Sequence, residues 1–210
     1  MKSLPLLGLS AVLLGTLGLT ACSSPISKPT AASSSPTVSQ FSSSTFTHPF
    51  TIALPTWAPK KPSSESATFV TWEASDGNLK LRVMAPVAVF VPNSSVAVPV
   101  PTDYSTYLLG LAADGVKFSD VVHLVISGHP AVVVTGTTDD PKDGSLGCPT
   151  VGMTPEECFA FQQGLVLRLA DIDDNGKPVL VWLRDNAGTK SLDADVAAFD
   201  KTLTTLSFTD

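Results

Sequence analysis

The chain has 210 residues, of which 13 are basic and 19 acidic, which gives a formal net charge of -6 at neutral pH. This balance excludes the extended basic surface that nucleic acids or anionic lipid headgroups require. The length suits a short leader followed by one globular domain, and no repeat of fixed period divides the chain.

The first 21 residues are built like a secretory signal peptide. Lys2 precedes an apolar stretch from Leu4 to Leu19, and two small residues lead to Cys22. The stretch is shorter than the roughly 20 apolar residues of a membrane-spanning helix, and a polar segment follows it. We therefore expect residues 1–21 to direct export and to be removed.

The four residues LTAC, Leu19 to Cys22, resemble the lipobox of bacterial lipoproteins, which is an aliphatic residue, two small residues and a cysteine. The resemblance implies cleavage before Cys22, a diacylglycerol thioether on its sulfur, and acylation of the new amine, for example with palmitate. Several acyl chains hold a protein on a bilayer stably. A lipid-anchored protein on the extracytoplasmic side of the cell membrane is therefore expected; the alternative is an ordinary secreted protein with a chance cysteine.

Residues 22–47 consist mostly of Ser, Thr and Pro, with few side chains that could build a core. Such a segment does not offset its own ordering entropy. We predict a flexible tether there, which as a coil reaches roughly 25 to 30 Å. Residues 48–210 then form a single globular domain.

The domain begins with sequence patterns typical of β-strands. Residues Phe50–Leu54 predict a first strand. Segments 67–74 and 79–85 alternate on either side of an Asp-Gly pair, which favours a hairpin. Four prolines then interrupt residues 86–101, which excludes a central strand because proline lacks the N–H that a sheet needs.

The second half combines helices with further hairpins. Thr102 or Asp103 can cap a helix that ends near Gly115, and the apolar residues from Leu192 to Leu206 are spaced for one face of a C-terminal helix. Two more hairpins are predicted, at residues 121–126 with 131–137 and at residues 165–172 with 178–184.

This order predicts an α+β sandwich, a mostly antiparallel sheet packed with helices. The segments HPFTIALPTWAP at the start and FDKTLTTLSF at the end resemble the opening strand and closing helix of the PsbP-like and LpqN-like domains of photosynthetic and actinobacterial envelope proteins. The resemblance implies a binding or accessory module rather than an enzyme.

Cys148 and Cys158 form an even pair in a chain expected to be exported, which predicts a disulfide. Closing this loop contributes on the order of 3 kcal/mol in the chain-entropy model. The alternatives are metal binding, which needs four ligands at typical spacings, and redox chemistry, which usually uses Cys-x-x-Cys.

The segment DIDDNG imitates the first half of a calcium loop, with Asp171, Asp173 and Asn175 at ligand positions. The position of the bidentate glutamate is occupied by Trp182. Asn175-Gly176 between two apolar strands is also a favoured hairpin turn. We predict the turn, with no metal, and keep these residues as weak metal candidates.

The remaining candidates are scattered. His123 lies in an apolar strand pattern without a visible partner, and Asp139, Asp140 and Asp143 form an acidic loop. The loop is either a solvated connection or a rim that binds a partner or cation beside the disulfide. The sequence contains no Gly-x-Ser-x-Gly nucleophile elbow, no His-Glu-x-x-His zinc motif and no glycine-rich phosphate-binding loop.

We therefore expect a membrane-anchored envelope lipoprotein whose domain binds an unknown envelope protein or a small apolar ligand, without a cofactor and without nucleic acid. The alternative is an envelope hydrolase whose site is assembled only by the fold, with His123 and the loop from Asp139 to Asp143 as its components. A pocket with convergent polar groups favours the enzyme, and an apolar groove favours binding.

Overall fold

The structure is a computed structural model that describes residues 39–209. Within them, a sheet-rich domain carries two α-helices, α1 (Tyr104–Gly110) and α2 (Leu192–Leu203). The strands are β1 (Gln40–Ser43), β2 (Phe50–Ala53), β3 (Ser64–Glu65), β4 (Phe69–Glu73), β5 (Lys80–Met84), β6 (Val89–Phe90), β7 (Ala97–Val98), β8 (Val116–Ile126), β9 (His129–Thr138), β10 (Lys142–Gly147), β11 (Phe159–Phe161), β12 (Leu165–Asp174), β13 (Lys177–Asn186) and β14 (Ser207–Phe208).

A seven-stranded antiparallel sheet organises the domain, with the strand order β3-β4-β5-β13-β12-β9-β8. The long central hairpin β12–β13 pairs from Leu165 with Asn186 to Asp174 with Lys177. Strands β1, β2 and β14 form a separate three-stranded sheet, and β10–β11 and β6–β7 are small two-stranded pairs. The prediction of a mostly antiparallel sheet with helices is confirmed, although helix content is low.

The two long hairpins turn where the sequence predicts. Asn175 and Gly176 adopt φ values of 56° and 80°, and Ser127 and Gly128 adopt 53° and 85°. Positive φ at both central residues defines a type I′ turn, whose twist matches that of the flanking strands. The hairpin reading of Asn175-Gly176 is therefore confirmed.

Apolar side chains fill both faces of the central sheet, because its middle strands are covered on each side. One core lies under β2 and α2 and includes Phe50, Trp72 and Phe199. The other lies under α1 and β11 and includes Leu108 and Phe161. Central strands covered on both faces read as continuous apolar runs rather than as alternating ones.

The domain starts earlier than the sequence predicts. Residues Gln40–Ser43, assigned to the tether, form β1 and pair with β2. Phe46, also in the predicted tether, is buried, and Phe41 packs edge-on against Trp72 with ring centroids 4.8 Å apart. The high Ser and Thr content led to the tether prediction, although the segment contains Phe41 and Phe46. The folded domain therefore begins before the predicted boundary at residue 48.

The helices begin and end as their sequences indicate. The Asp103 carboxylate accepts the Thr106 N–H at 2.9 Å and caps α1. A 3-10 turn at Leu111–Asp114 continues α1 to Gly115, whose φ of 93° favours glycine. Between the two cysteines, Pro155–Glu157 forms a 3-10 turn. In the described range 39–209, no helix has the length and apolar character to cross a membrane.

A buried arginine joins α2 to the central sheet. Arg168 on β12 donates to both Asp200 carboxylate oxygens, at 3.0 and 3.1 Å. It also donates to the Asp120 carbonyl at 3.0 Å and to the Thr135 hydroxyl at 3.2 Å. Because a bidentate arginine fixes direction as well as distance, this side chain orients α2 and the bulge of β8 together.

Candidate functional site

The predicted disulfide is present between Cys148 and Cys158, whose Cα atoms lie 4.5 Å apart. Both cysteines are buried against Phe90. Cys148 also forms a bridge with Ala88, so the disulfide holds the end of β10 and the start of β11 on the domain. Cys22, the predicted lipidation site, lies outside the described residues.

The acidic loop stays at the surface. Asp139, Asp140 and Asp143 are all exposed. Asp139 accepts a hydrogen bond from Lys117 at 2.6 Å. A binding rim at these residues remains a prediction.

His123 lies exposed on β8, the last strand of the sheet. Lys117, the partner of Asp139, is six positions earlier on the same strand. At about 3.3 Å per residue this places His123 roughly 20 Å from Asp139. The two components of the hydrolase hypothesis are therefore not brought together.

The residues at calcium-ligand positions of DIDDNG have separate hydrogen-bond partners. The Asp171 side chain is buried, and its Oδ2 accepts the Ser105 hydroxyl at 2.6 Å. Asp173 accepts the Gly176 N–H at 2.6 Å and so closes the turn that carries Asn175. Among residues 39–209, no group of three histidine, cysteine or acidic side chains is arranged to hold a metal ion.

Asp171 is nevertheless electrostatically unusual. Burial raises the pKa of its carboxyl to about 6, the Ser105 hydrogen bond opposes this rise, and the charges of Asp173 and Asp103 add to it. Its Oδ1 has no hydrogen-bond partner among the described residues. The sequence pattern placed Asp171 at the end of a strand and kept it as a weak calcium ligand, because only tertiary packing places α1 over it.

One polar cluster was missed entirely. Asp174 Oδ2 lies 2.5 Å from His48 Nδ1, and its Oδ1 lies 3.4 Å from His129 Nδ1. Phe208 packs against both imidazole rings. The three polar residues are distant in sequence and meet because two hairpin tips and the entry to β2 converge, which no local spacing could reveal.

An apolar groove lies between the end of β2 and α2. We call it the α2 groove; it measures about 450 Å³ and its lining is mainly apolar. It is lined by Ala53, Leu54, Pro55, Thr56, Ala198, Lys201, Thr202 and Thr205.

Local sequence explains why the α2 groove stays open. Pro55 ends β2, so the chain turns away instead of continuing along the helix. The Ala53 N–H donates to Thr205 Oγ1 at 2.9 Å, which fixes the distance between strand and helix. Ala198, the smallest side chain after glycine, faces the strand across the gap. A volume of this size is within the range of small-molecule sites.

Comparison with known proteins gives fold-level likeness only. No family model matches the chain, and no curated protein matches it. A Pseudomonas aeruginosa protein of unknown function matches with a TM-score of 0.41 and 15% identity, over 74% of this chain and 88% of that one.

Two better-described structures match at similar levels. The Saccharomyces cerevisiae Ran-binding protein Mog1p has a TM-score of 0.44 and 9% identity, over 77% of this chain and 90% of that one. Cyanobacterial PsbP (CyanoP) from Synechocystis has a TM-score of 0.44 and 9% identity, over 81% and 91%. The similar structures thus include PsbP and Mog1 folds, and likeness at this level carries no inference about function.

Proposed function

We propose that the chain is an envelope lipoprotein, anchored through Cys22, whose domain is a binding module for a small apolar ligand. The observation that carries the proposal is the α2 groove, which is apolar, of ligand size and built on a fixed strand-to-helix spacing. Its polar lining residues are Lys201 and three threonines, of which Thr202 is buried and Thr205 is hydrogen-bonded to the Ala53 N–H. An apolar interior with few polar groups suits binding more than catalysis.

The proposed location on the extracytoplasmic face of the membrane supports this function. The lipobox-like LTAC would leave the mature chain on the extracytoplasmic face, where its disulfide is stable. The domain then begins at β1, so the segment between Cys22 and Gln40 is shorter than the sequence predicted. A binding module held near a bilayer meets apolar molecules that partition into that bilayer.

A matched pair of variants on α2 tests the proposal. Ala198→Glu would place a charged side chain in the α2 groove, whereas Ala197→Glu adds the same charge at the adjacent exposed position, outside the lining. An apolar fluorescent probe should bind the wild-type chain and the Ala197 variant, and bind the Ala198 variant at least about tenfold more weakly, because the probe would have to displace water from a charged side chain in the groove.

The same variants can be tested in cells. The Ala198 variant should fail to complement a deletion strain, and the Ala197 variant should complement it. Equal probe binding by both variants, with unchanged thermal midpoints, would refute the α2 groove as the ligand site.

The enzyme alternative would need different residues from those first suggested. His48 with Asp174 is a histidine–carboxylate pair beside a hollow of about 300 Å³ that His48 lines. A carboxylate can orient an imidazole that acts as a general base. Replacing His48 by Gln should leave complementation intact if the domain is a binding module, and abolish it in a folded protein if the pair is catalytic.

A further inference from the structure

A second hollow, unrelated to the α2 groove, concentrates positive charge on this acidic protein. It measures about 190 Å³ and lies over β5, β13 and β11, on the face opposite α2. Its polar lining exceeds its apolar lining. We call it the cationic hollow; its lining includes Lys80, Arg82, Gln162, Trp182 and Arg184.

The cations of the hollow are neighbours in the sheet. Lys80 lies directly opposite Arg184 in the β5–β13 ladder, and Arg82 lies opposite Trp182. Like charges directly opposite each other in a sheet are destabilising. Lys80 pairs with Glu73 at 3.1 Å, and among the described residues neither Arg82 nor Arg184 forms an ion pair within 4.0 Å.

Arg82 is held in place from two sides. Its guanidinium stacks 3.9 Å from the centre of the Phe159 ring, and its Nε donates to the Thr71 hydroxyl at 2.7 Å. Burial, and then the charge of Arg184, lower the pKa of Arg82 to about 10, while Glu73 opposes that change. A stacked, fixed guanidinium loses little conformational entropy when an anion binds.

The Arg184 guanidinium has donors that make no hydrogen bond among the described residues. Its Nη2 donates to the Gly77 carbonyl at 3.1 Å, whereas its buried Nε has no acceptor among the described residues. The Nη1 of the same guanidinium makes no hydrogen bond among the described residues either, and it is not a buried atom, so it is the donor left for an anion in the hollow. The Gln162 side chain, also in the lining, adds an amide that can donate.

We propose that the cationic hollow binds an oxyanion, a carboxylate or phosphate group carried by a ligand or partner, between Lys80, Arg82 and Arg184. The hollow is sized for one such group rather than for a polyanion. Arginine donors match the geometry of both groups, and a bound anion would relieve the repulsion between Lys80 and Arg184.

Inorganic phosphate and acetate are suitable probes, each compared with sodium chloride at equal ionic strength. Calorimetric titration of the chain from Ser23 to Asp210 should show saturable binding of at least one oxyanion, with a rise in thermal midpoint. Tighter binding of phosphate or of acetate shows whether the hollow prefers a phosphate group or a carboxylate group.

Variants locate the site. Arg184→Gln and Lys80→Gln should each weaken binding of the oxyanion by about tenfold or more, since hydrogen bonds to charged groups are among the stronger ones. Lys60→Gln removes an equal charge from an exposed residue outside the hollow and should have no effect. No oxyanion effect beyond that of chloride, or equal effects in Lys60→Gln and Lys80→Gln, would overturn the proposal.

A different observation concerns the edge strand β8. Among the described residues only β9 pairs with it in the sheet, and its residues 121–125 are exposed. Val125 is 69% exposed and Val121 and Val122 are each 44% exposed. Long apolar edges without charged side chains are templates for pairing with another strand.

The hydrogen-bonding groups of this edge can be assigned from the register. Ile126 pairs with His129 next to the two-residue turn, where closing residues exchange both hydrogen bonds. Alternation then directs the peptide groups of Leu124 toward β9 and those of His123 and Val125 toward the open side. Pro130, which has no N–H, lies opposite Val125, in agreement with this assignment.

The exposed segment has a palindromic pattern, Val-Val-His-Leu-Val. If two copies paired antiparallel about His123, Val121 would face Val125 and Val122 would face Leu124 of the other copy. A two-fold interface requires such self-complementarity. The nearest charged side chain on the strand is Asp120, which accepts from the Ser119 hydroxyl at 3.0 Å, beyond the paired segment.

We infer that β8 pairs with β8 of a second copy to form a dimer with a continuous sheet. Sedimentation of the chain from Ser23 to Asp210 should show a monomer–dimer equilibrium. Val125→Lys should raise the dissociation constant by about tenfold or more, because the charge enters the interface twice. Val151→Lys changes a 79% exposed valine in a loop and should leave the constant unchanged.

A charge at position 123 tests the register. In the dimer the two His123 side chains would be direct neighbours, so His123→Lys would place two like charges opposite each other. The His123→Lys chain should stay monomeric at concentrations where the wild-type and His123→Gln chains form the dimer. A monomer at every concentration, or equal dissociation of the Val125 and Val151 variants, would contradict the inference.

Discussion

Replacing Asp171 by Asn should change how stability depends on pH. The pKa of this carboxyl is about 6 in the folded protein, against about 3.9 for an unfolded aspartate. Because the native state binds the proton more tightly, it holds more protons than the unfolded chain between about pH 4 and pH 6. The free energy of unfolding contributed by Asp171 therefore falls as pH rises through that window.

The magnitude follows from the two pKa values. Their difference corresponds to about 3 kcal/mol in total, of which about 2 kcal/mol is lost between pH 4 and pH 7, with little further change above. An amide at position 171 carries no charge at either pH, and its oxygen can still accept the Ser105 hydroxyl. Relative to wild type, the Asp171→Asn protein should therefore gain about 2 kcal/mol on going from pH 4 to pH 7.

Urea unfolding at a series of pH values measures this difference directly. The comparison uses the slope with pH, so any constant effect of the amide on packing cancels. Asp143→Asn alters an exposed carboxylate and serves as the matched control. Ser105→Ala should steepen the wild-type dependence, because it removes the hydrogen bond that favours the charged form. Parallel curves for wild type and Asp171→Asn would refute the reasoning.

Four further substitutions have definite expected results. Cys22→Ala should abolish acylation and release the protein from washed membranes; retention there would contradict the lipid anchor. Cys148→Ser should lower the free energy of unfolding by about 3 kcal/mol, measured in denaturant without reductant. Gly136→Ala should cost about 1 to 3 kcal/mol, because its Cβ would lie 2.4 Å from the Phe161 ring. Gly110→Ala meets no atom within 4 Å and should stabilise α1 slightly; denaturant unfolding measures both glycine variants.

The domain boundary shows how composition can mislead. Residues 40–47 share the Ser and Thr content of the preceding segment, and by that measure they belong to a tether. Their two phenylalanines pack against Phe50, and Phe41 also packs against Trp72, which is close to it only in the folded domain. Composition averages over a segment, whereas burial depends on single side chains.

The sequence alone also could not reveal the candidate sites. The α2 groove combines the end of β2 with α2, and the cationic hollow combines β5, β11 and β13. Neither has a contiguous motif, because the residues that line each one come from segments far apart in the chain. For His123 and Asp139, likewise, no sequence pattern gave the distance between them, and the fold leaves them far apart.

Local signals in the sequence determined the hairpins, the capped α1, the apolar face of α2 and the pairing of two cysteines that lie close together in the chain. Each of these features depends on interactions within about a dozen residues, so periodicity and turn chemistry are sufficient. Tertiary structure alone decided that α1 buries Asp171, that Asp174 meets two histidines, and that β8 remains an open edge. Those outcomes depend on strand order and on which element covers each face, and strand order is set by the packing of the whole core rather than by any local segment.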